Sequence, residues 1–481
     1  MTRYSEESVR SSSDATAAEN FSLDKSTASA VYSLLDAVGS ESIADEFDIG
    51  KHSKTHDLDN HVKIAVREGI DPSDSLAELE ETTATDAAME KMAASTFSRY
   101  TNDRDYRAVV RSMFELLHTP QLYHQRAVQR KRLHRLTRGI VATDATNLEL
   151  TRSVVVSEDF LGDDEQAYEI NTDDGGIKLH LAARVDGEHK HPLGSTVTEG
   201  ESHESLQFEH LYGDVEVFPD LDSPIWVFDR GYTRYKRFCG FTDIDDDFIT
   251  LLESDARYEV CEQIQTVEVT EGDETRQVRD DRIELADTGE QFRRVMLETP
   301  DGEEFEYLTT LASSAYDPID VISIYTLRTV IEILFRELKQ YLNVENFHSQ
   351  SLNGVLFELF SALIGLLLIQ WLRQRHPMRG GVPQAIQEVR KHWNDTLGSV
   401  GKLISRQTVR RHCERRLWSA QQKLLEISVE TLGTGVSGRI RWLLVTTSPS
   451  DSRRSSISLL TLARCLYQLE TRQRSSASIH V

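Results

Sequence analysis

The chain has 481 residues, enough for two to four domains with at least one sizeable core, and carries a formal net charge of −25 from 79 acidic and 54 basic side chains. Arginine outnumbers lysine about threefold and the acidic excess is spread over the chain rather than confined to a tail, a surface suited to solubility in concentrated salt, so a halophilic source is expected. That charge does not exclude a nucleic-acid partner, because at about 1 M salt the Debye length is only ~3 Å and local basic contacts decide binding.

Residues 1–22 are rich in Ser, Glu and Ala, contain no apolar signal segment, and are expected to form a disordered tail. Residues 23–135 read as a helical N-terminal region: Val31, Leu34, Leu35 and Val38 recur at helical spacing, as do Val109, Val110, Met113, Leu116 and Leu117. It ends in a basic cluster, Arg126, Arg130, Lys131, Arg132, Arg135 and Arg138. A charge run is usually a solvated face, but in so acidic a chain this one is also a candidate phosphate contact, with Arg130, Lys131 and Arg132 at its centre.

From residue 136 the pattern turns extended. Ile140 to Thr143 form an apolar strand that ends on Asp144. Residues 148–157 and 177–185 read as two more strands, followed by a polar stretch over residues 187–204 and a helix near residues 205–212. Pro224 to Phe228 form another apolar strand, delivering Asp229 to its C-terminal end, where open α/β sheets place their sites. A helix N-cap is the plainer use of that aspartate. A strand over residues 248–252 follows, then a β-rich stretch over residues 253–306, and a strand over residues 307–311. Residues 352–372 read as a buried core helix, the longest apolar run (residues 359–369) being too short for a bilayer. Residues 373–481 are a basic helical C-terminal region and tail, in which Arg406, Arg410, Arg411, Arg415 and Arg416 form either a solvated face or a DNA-backbone surface; residues 446–481 suggest no function.

The most informative stretch is residues 325–339. As a helix it lines up Tyr325, Arg328, Glu332, Arg336 and Lys339 on one stripe and seats Leu327, Val330, Leu334 and Leu338 on a core. A solvated amphipathic helix would show the same pattern. Yet one carboxylate in line with three cations and a phenol also suits a metal-bound phosphodiester, with the acid on the metal and the cations on phosphate oxygens. No histidine or cysteine cluster competes as a metal site, and the four scattered cysteines read as reduced thiols. Gly401-Lys402 lacks the rest of a phosphate loop, which excludes an NTPase reading.

The spacing Y-x2-R-x3-E-x6-K, met by Tyr325, Arg328, Glu332 and Lys339, resembles the signature of DDE transposases of the family named after insertion sequence four. Asp229, Gly231 and Tyr232 match the family's Asp-x-Gly-aromatic, its second local motif. The resemblance implies an α/β fold: an RNase-H-like core of mixed sheet flanked by helices (residues 136–252 and 307–372), interrupted by a β-rich insertion (253–306), with helical regions at either end. It also implies Asp144, Asp229 and Glu332 as catalytic metal ligands for two Mg²⁺ ions, Mn²⁺ being able to substitute, with Asp144 bridging both. Tyr325, Arg328, Arg336 and Lys339 would then contact DNA. The implied activity is cut-and-paste transposition by a homodimer on double-stranded DNA, at terminal inverted repeats and target, by way of a hairpin intermediate; the reduced cysteines, polar N-terminus and short apolar run separately lead to the expectation of a cytoplasmic protein with no membrane partner. One departure stands out: where the family has basic side chains on the strand after the second aspartate, this chain has Leu251 and Glu253. A nuclease without strand transfer and an inactive DNA-binding descendant remain the alternatives.

Overall fold

The computed structural model describes residues 26–49, 56–119, 138–150 and 176–395, apart from a few short gaps, together with residues 154–155 and 169–170. The basic residues Arg126 to Arg135, among them Arg130, Lys131 and Arg132, and everything beyond residue 395 lie outside the described residues. Those that are described fall within one compact unit.

The N-terminal region is helical, as its periodicity predicts: α1 (Thr27–Asp36), α2 (Ser40–Glu46), α3 (Leu58–Ile70), α4 (Leu76–Thr85), α5 (Ala94–Asp103) and α6 (Arg107–Leu117). Ser26, Asp57 and Ser75 cap α1, α3 and α4, each accepting from a backbone N–H three residues on. The apolar faces pack onto a long helix, α11 (Leu352–Arg375), whose Ala362 backbone lies so close to Gly69 that a Cβ there would meet it at 2.7 Å. The apolar span of α11 (Leu352–Arg373, 22 residues) is long enough to cross a bilayer, which corrects the length argument made from residues 359–369 alone. In its apolar 18-residue window 89% of the residues are nonetheless buried within the protein, as a core helix requires.

A nine-stranded mixed sheet forms the rest of the core. Its strands are β1 (Ile140–Leu148), β4 (Ile177–Asp186), β5 (His189–Glu199), β6 (Ile225–Phe228), β7 (Asp247–Leu251), β8 (Tyr258–Glu271), β9 (Glu274–Leu285), β10 (Gln291–Glu298) and β11 (Glu304–Thr309). Their spatial order is β5-β4-β1-β6-β7-β11-β10-β9-β8, with β1, β6 and β7 parallel and every other neighbouring pair antiparallel. Two-residue strands β2 (Val154–Val155) and β3 (Glu169–Ile170) pair separately.

Three sequence expectations need correction. The first strand does not end on Asp144: β1 runs on to Leu148, its antiparallel neighbour is β4, and within residues 148–157 the separate strand described is the two-residue β2. The polar stretch over residues 187–204 contains β5, a strand whose polar residues Lys190 and His191 are themselves buried, so apolar patterning does not reveal it. The stripe helix is two helices, α9 (Pro318–Tyr325), capped by Asp317, and α10 (Thr329–Tyr341), joined by one 3₁₀ turn, Thr326–Arg328. Its apolar face is as expected: Leu327, Val330, Leu334 and Leu338 are all buried. The β-rich stretch before Tyr307 adds its strands to the same sheet, with β11 pairing antiparallel to β7. Between β5 and β6 come a 3₁₀ turn (Glu204–Leu206) and α7 (Phe208–Glu216); after β6 come a second 3₁₀ turn (Arg230–Tyr232) and α8 (Tyr235–Phe241). α12 (Val382–Lys391) is the last described helix.

Candidate active site

Parallel pairing sets the site. β1 and β6 run side by side with Thr143 opposite Phe228, so the next residue of each, Asp144 and Asp229, arrives at the same level. Asp229 does cap a turn, accepting from the Arg230 backbone N–H at 2.6 Å, but its second oxygen remains available to the site. Above this edge lies the 3₁₀ turn bearing Arg328, followed at once by the first turn of α10 with Glu332.

The three acids meet at one guanidinium. Arg328 Nη1 lies 3.2 Å from Asp144 Oδ2 and 3.5 Å from Asp229 Oδ2, while Nη2 lies 2.5 Å from Glu332 Oε1. Asp144 and Arg328 are largely enclosed, their side chains each 16% exposed, whereas Asp229 and Glu332 are half open at 42% and 49%. Enclosure pushes the Asp144 carboxyl up to about 6; the Ala145 N–H and Arg328 oppose the shift, and the charges of Asp229 and Glu204 add to it. Burial also works against the charge on Arg328, but Asp229, Tyr325, Asp144 and Glu332 together hold its pKa above the ordinary range.

The remaining stripe residues lie on the same run of helices. Tyr325 packs edge-on against Tyr307 at 5.2 Å, and burial, then Asp229, raises its phenol. Lys339 donates to the Asn147 carbonyl near the end of β1, and Arg336 is exposed on the same helix. Arg138, read as part of the basic cluster, is used otherwise: it pairs with Asp247 and donates to the carbonyls of Ser223 and Pro224, tying together the starts of β1, β6 and β7.

Two features escape sequence reading. Glu204, in the turn after β5, points its carboxylate at Gly231, where a Cβ would stand 2.1 Å from Glu204 Oε2, and Lys178 Nζ lies 3.8 Å from its other oxygen. No periodicity marks Glu204; the one available sign is the glycine two residues after Asp229, which leaves room for it. Just beyond lie Arg230, Arg234 and Lys236, exposed cations with no acidic partner among the described residues. His180, opposite Ala145 on β4, joins Tyr232 and Thr198 at 3.3 and 2.8 Å. The departure at Glu253 also has a local setting: burial and then the Glu253 charge raise the phenol of Tyr235 on α8.

Carboxylate oxygens are the donors that hard divalent ions prefer, and three of them from three elements converge here on one positive charge, so the donor chemistry fits such an ion. As they stand these oxygens face the guanidinium, and among the described residues no group of three or more His, Cys, Asp or Glu is arranged as a metal cage.

Residues 135–368 match the family described as "Transposase DDE domain". The matched segment runs through β1, β6 and α10, and therefore contains Asp144, Asp229 and Glu332. Domains of this kind generally use divalent metal ions. A "Putative transposase y4zB" of Sinorhizobium fredii is 28% identical over 150 residues, which is 30% of this chain and 41% of the relative. A "Probable transposase for insertion sequence element IS5377" of Geobacillus stearothermophilus is 25% identical over 201 residues, 41% of this chain and 49% of the relative. The chain thus spans less than half the length of each of these relatives. Over this segment, then, the chain is similar to DDE transposases.

Proposed function

We propose that this protein is a DNA transposase that cuts and joins the ends of an insertion sequence, with Asp144, Asp229 and Glu332 as its acidic triad. The observation that carries the reading is the meeting of these three carboxylates, 85 and 103 residues apart along the chain, at the single guanidinium of Arg328. The finer assignments belong to the same proposal: membership of the family named after insertion sequence four, a halophilic source, a cytoplasmic homodimer on DNA, and a hairpin intermediate. An RNase-H-like core is supported by the order β5-β4-β1-β6-β7 with its antiparallel and parallel halves, β8–β10 then lying in the inserted stretch and β11 leading back into the core.

Asp144, Asp229 and Glu332 are the side chains that would hold two Mg²⁺ ions, or Mn²⁺ in their place. Such ions supply an activated water or 3′-hydroxyl and relieve charge on the departing oxygen. The protein's own part is placement. The enclosed Asp144 anchors the centre, and the half-open Asp229 and Glu332 face the side from which a phosphodiester arrives. Arg328 can grip a phosphate by its fork and Lys339 by its point charge, while Tyr325 donates to a backbone oxygen. Arg336, Arg230, Arg234 and Lys236 extend the cationic rim in a chain that otherwise repels DNA. The last three stand in for the cations absent at Leu251 and Glu253. Arg130, Lys131 and Arg132 are proposed as further backbone contacts.

Purified protein at high salt with Mg²⁺, given a labelled duplex that ends in the repeat flanking its gene, tests the reading. Joining to target DNA is expected; cleavage without joining would favour a plain nuclease, and binding without cleavage an inactive descendant. Glu332→Gln should abolish cleavage while leaving binding intact, since it removes a charged ligand at nearly unchanged shape. Unimpaired cutting by that variant would overturn the triad. Open flanks with no hairpins on a denaturing gel, under conditions of active cutting, would overturn the hairpin step.

A further inference from the structure

We infer that Arg328 is the resident counter-ion of the acidic centre, and that a divalent cation binds there by displacing its guanidinium, which is thereby released to grip substrate phosphate. The inference rests on the transposase reading for the identity of cation and substrate. Its geometry stands separately.

One side chain bridges three elements. Nη1 serves Asp144, within β1, and Asp229, just past β6, at 3.2 and 3.5 Å, and Nη2 serves Glu332 on α10 at 2.5 Å. Three carboxylates this close repel one another unless a cation stands among them, and Arg328 is the cation in contact with all three. The balance is incomplete: three formal negative charges face one positive, and Glu204 adds its own charge to the field at Asp144. A divalent ion answers that surplus better than a guanidinium, and it is compact enough to sit between the oxygens.

Arg328 is also imperfectly satisfied where it is. Its Nε is buried and makes no hydrogen bond, so only the tips of the fork are engaged. A phosphate could accept from Nε and Nη2 together, the bidentate pattern that guanidinium favours. Arg336 lies further along the exposed side of α10, so a displaced Arg328 would join an existing cationic face. The same arginine would therefore keep the acids assembled before the metal arrives and hold DNA afterwards, making one event depend on the other.

The test is Mn²⁺ binding to the full-length protein without DNA, followed by the electron paramagnetic resonance signal of the free ion, for wild type, Arg328→Gln, Arg328→Lys and Asp229→Asn. A like charge a few Å from a bound ion, at an effective dielectric near 20, opposes it by more than about tenfold. Arg328→Gln should therefore bind Mn²⁺ at least about tenfold more tightly than wild type, Arg328→Lys should fall between, and Asp229→Asn should bind more weakly. Arg328→Gln should also lose affinity for the duplex, and its melting temperature should rise more on adding Mn²⁺ than that of wild type. Unchanged or weaker Mn²⁺ binding by both Arg328 variants would overturn the inference. Cleavage by wild type is scored in parallel, so that result with intact wild-type cleavage removes only the displacement step, while absence of both binding and cleavage removes the transposase reading as well.

Discussion

The carboxylate of Glu204 lies directly against Gly231: a Cβ on that glycine would stand 2.1 Å from Glu204 Oε2. The contact joins the turn that follows β5 to the turn that follows β6, and so sets a fourth acid beside Asp144, whose carboxyl its charge helps to raise. It gives the glycine in Asp229-Arg230-Gly231-Tyr232 a physical purpose, since only a residue without a side chain leaves that space.

Gly231→Ala is therefore expected to displace Glu204 rather than to break the fold. The obstructing atom is the tip of a flexible side chain, so the cost in stability should stay below about 1 kcal/mol, as for other changes that a mobile neighbour absorbs. Divalent-ion affinity should fall by a factor similar to that caused by Glu204→Gln, and the double variant should be no worse than either alone. Titration of the three variants with Mn²⁺ checks this. Additive losses would mean that the two residues act separately.

The rim beyond Asp229 leads to a second expectation. Arg230, Arg234 and Lys236 are exposed and without acidic partners among the described residues, in a chain of net charge −25. If they neutralise phosphates, changing all three to alanine should weaken duplex binding at every sequence and reduce the salt slope of log K by roughly one unit per lost contact. Measured affinities across a range of KCl concentrations provide the test; an unchanged slope would assign the rim to solvent.

How much of this could be read in the sequence depended on how local each determinant is. The approach of Asp144 and Asp229 to one point was foreshadowed by apolar runs leading into an acid, a short-range pattern, although β1 runs on past Asp144 to Leu148; that of Glu332 was foreshadowed by the helical spacing that aligned it with Arg328. The N-terminal helices were legible from the period of their apolar residues. β5 was not, because its buried Lys190 meets Glu337 on α10, at 2.6 Å, only in the folded protein. Glu204 was hidden for the same reason: nothing within residues 200–207 shows that another turn will bring Gly231 beneath it. The break at Thr326–Arg328 escaped because a single 3₁₀ turn hardly alters the stripe.

His180 gives the pH dependence. Burial, then the charge of Lys178, lowers its pKa from the ordinary 6.5 to about 4, so the fold favours the neutral ring. A histidine whose folded pKa is depressed contributes stability that is fully present above 6.5 and is lost as the pH falls through about 4. Across that window the loss should approach about 2–3 kcal/mol. His180→Gln retains a hydrogen-bonding group for Thr198 and Tyr232 but cannot titrate there, so its melting temperature should fall less steeply than that of wild type between these limits. Parallel acid limbs for the two proteins would rule His180 out.

The outer strands carry a further prediction. Asp280 and Asp281 on β9 are fully buried, yet each meets an arginine of β10: Arg293 holds Asp280 by two bonds of 2.8 and 2.9 Å, and Arg294 reaches Asp281 at 3.0 Å. A buried pair of this kind gives little net stability, because desolvation offsets the attraction, but removing one partner strands the other. Arg293→Met should therefore cost about 3–5 kcal/mol, while Arg293→Met combined with Asp280→Leu should recover most of it. Register is the quantity that would suffer in the double variant. Val295 lies opposite Asp280 and Arg294 opposite Asp281, so the charged pairs favour one alignment of β9 on β10 where apolar residues would tolerate a slip. Urea unfolding measures the first effect, and hydrogen exchange along β9 and β10 the second. A double variant as unstable as Arg293→Met alone would show that the pair supplies stability and not only alignment.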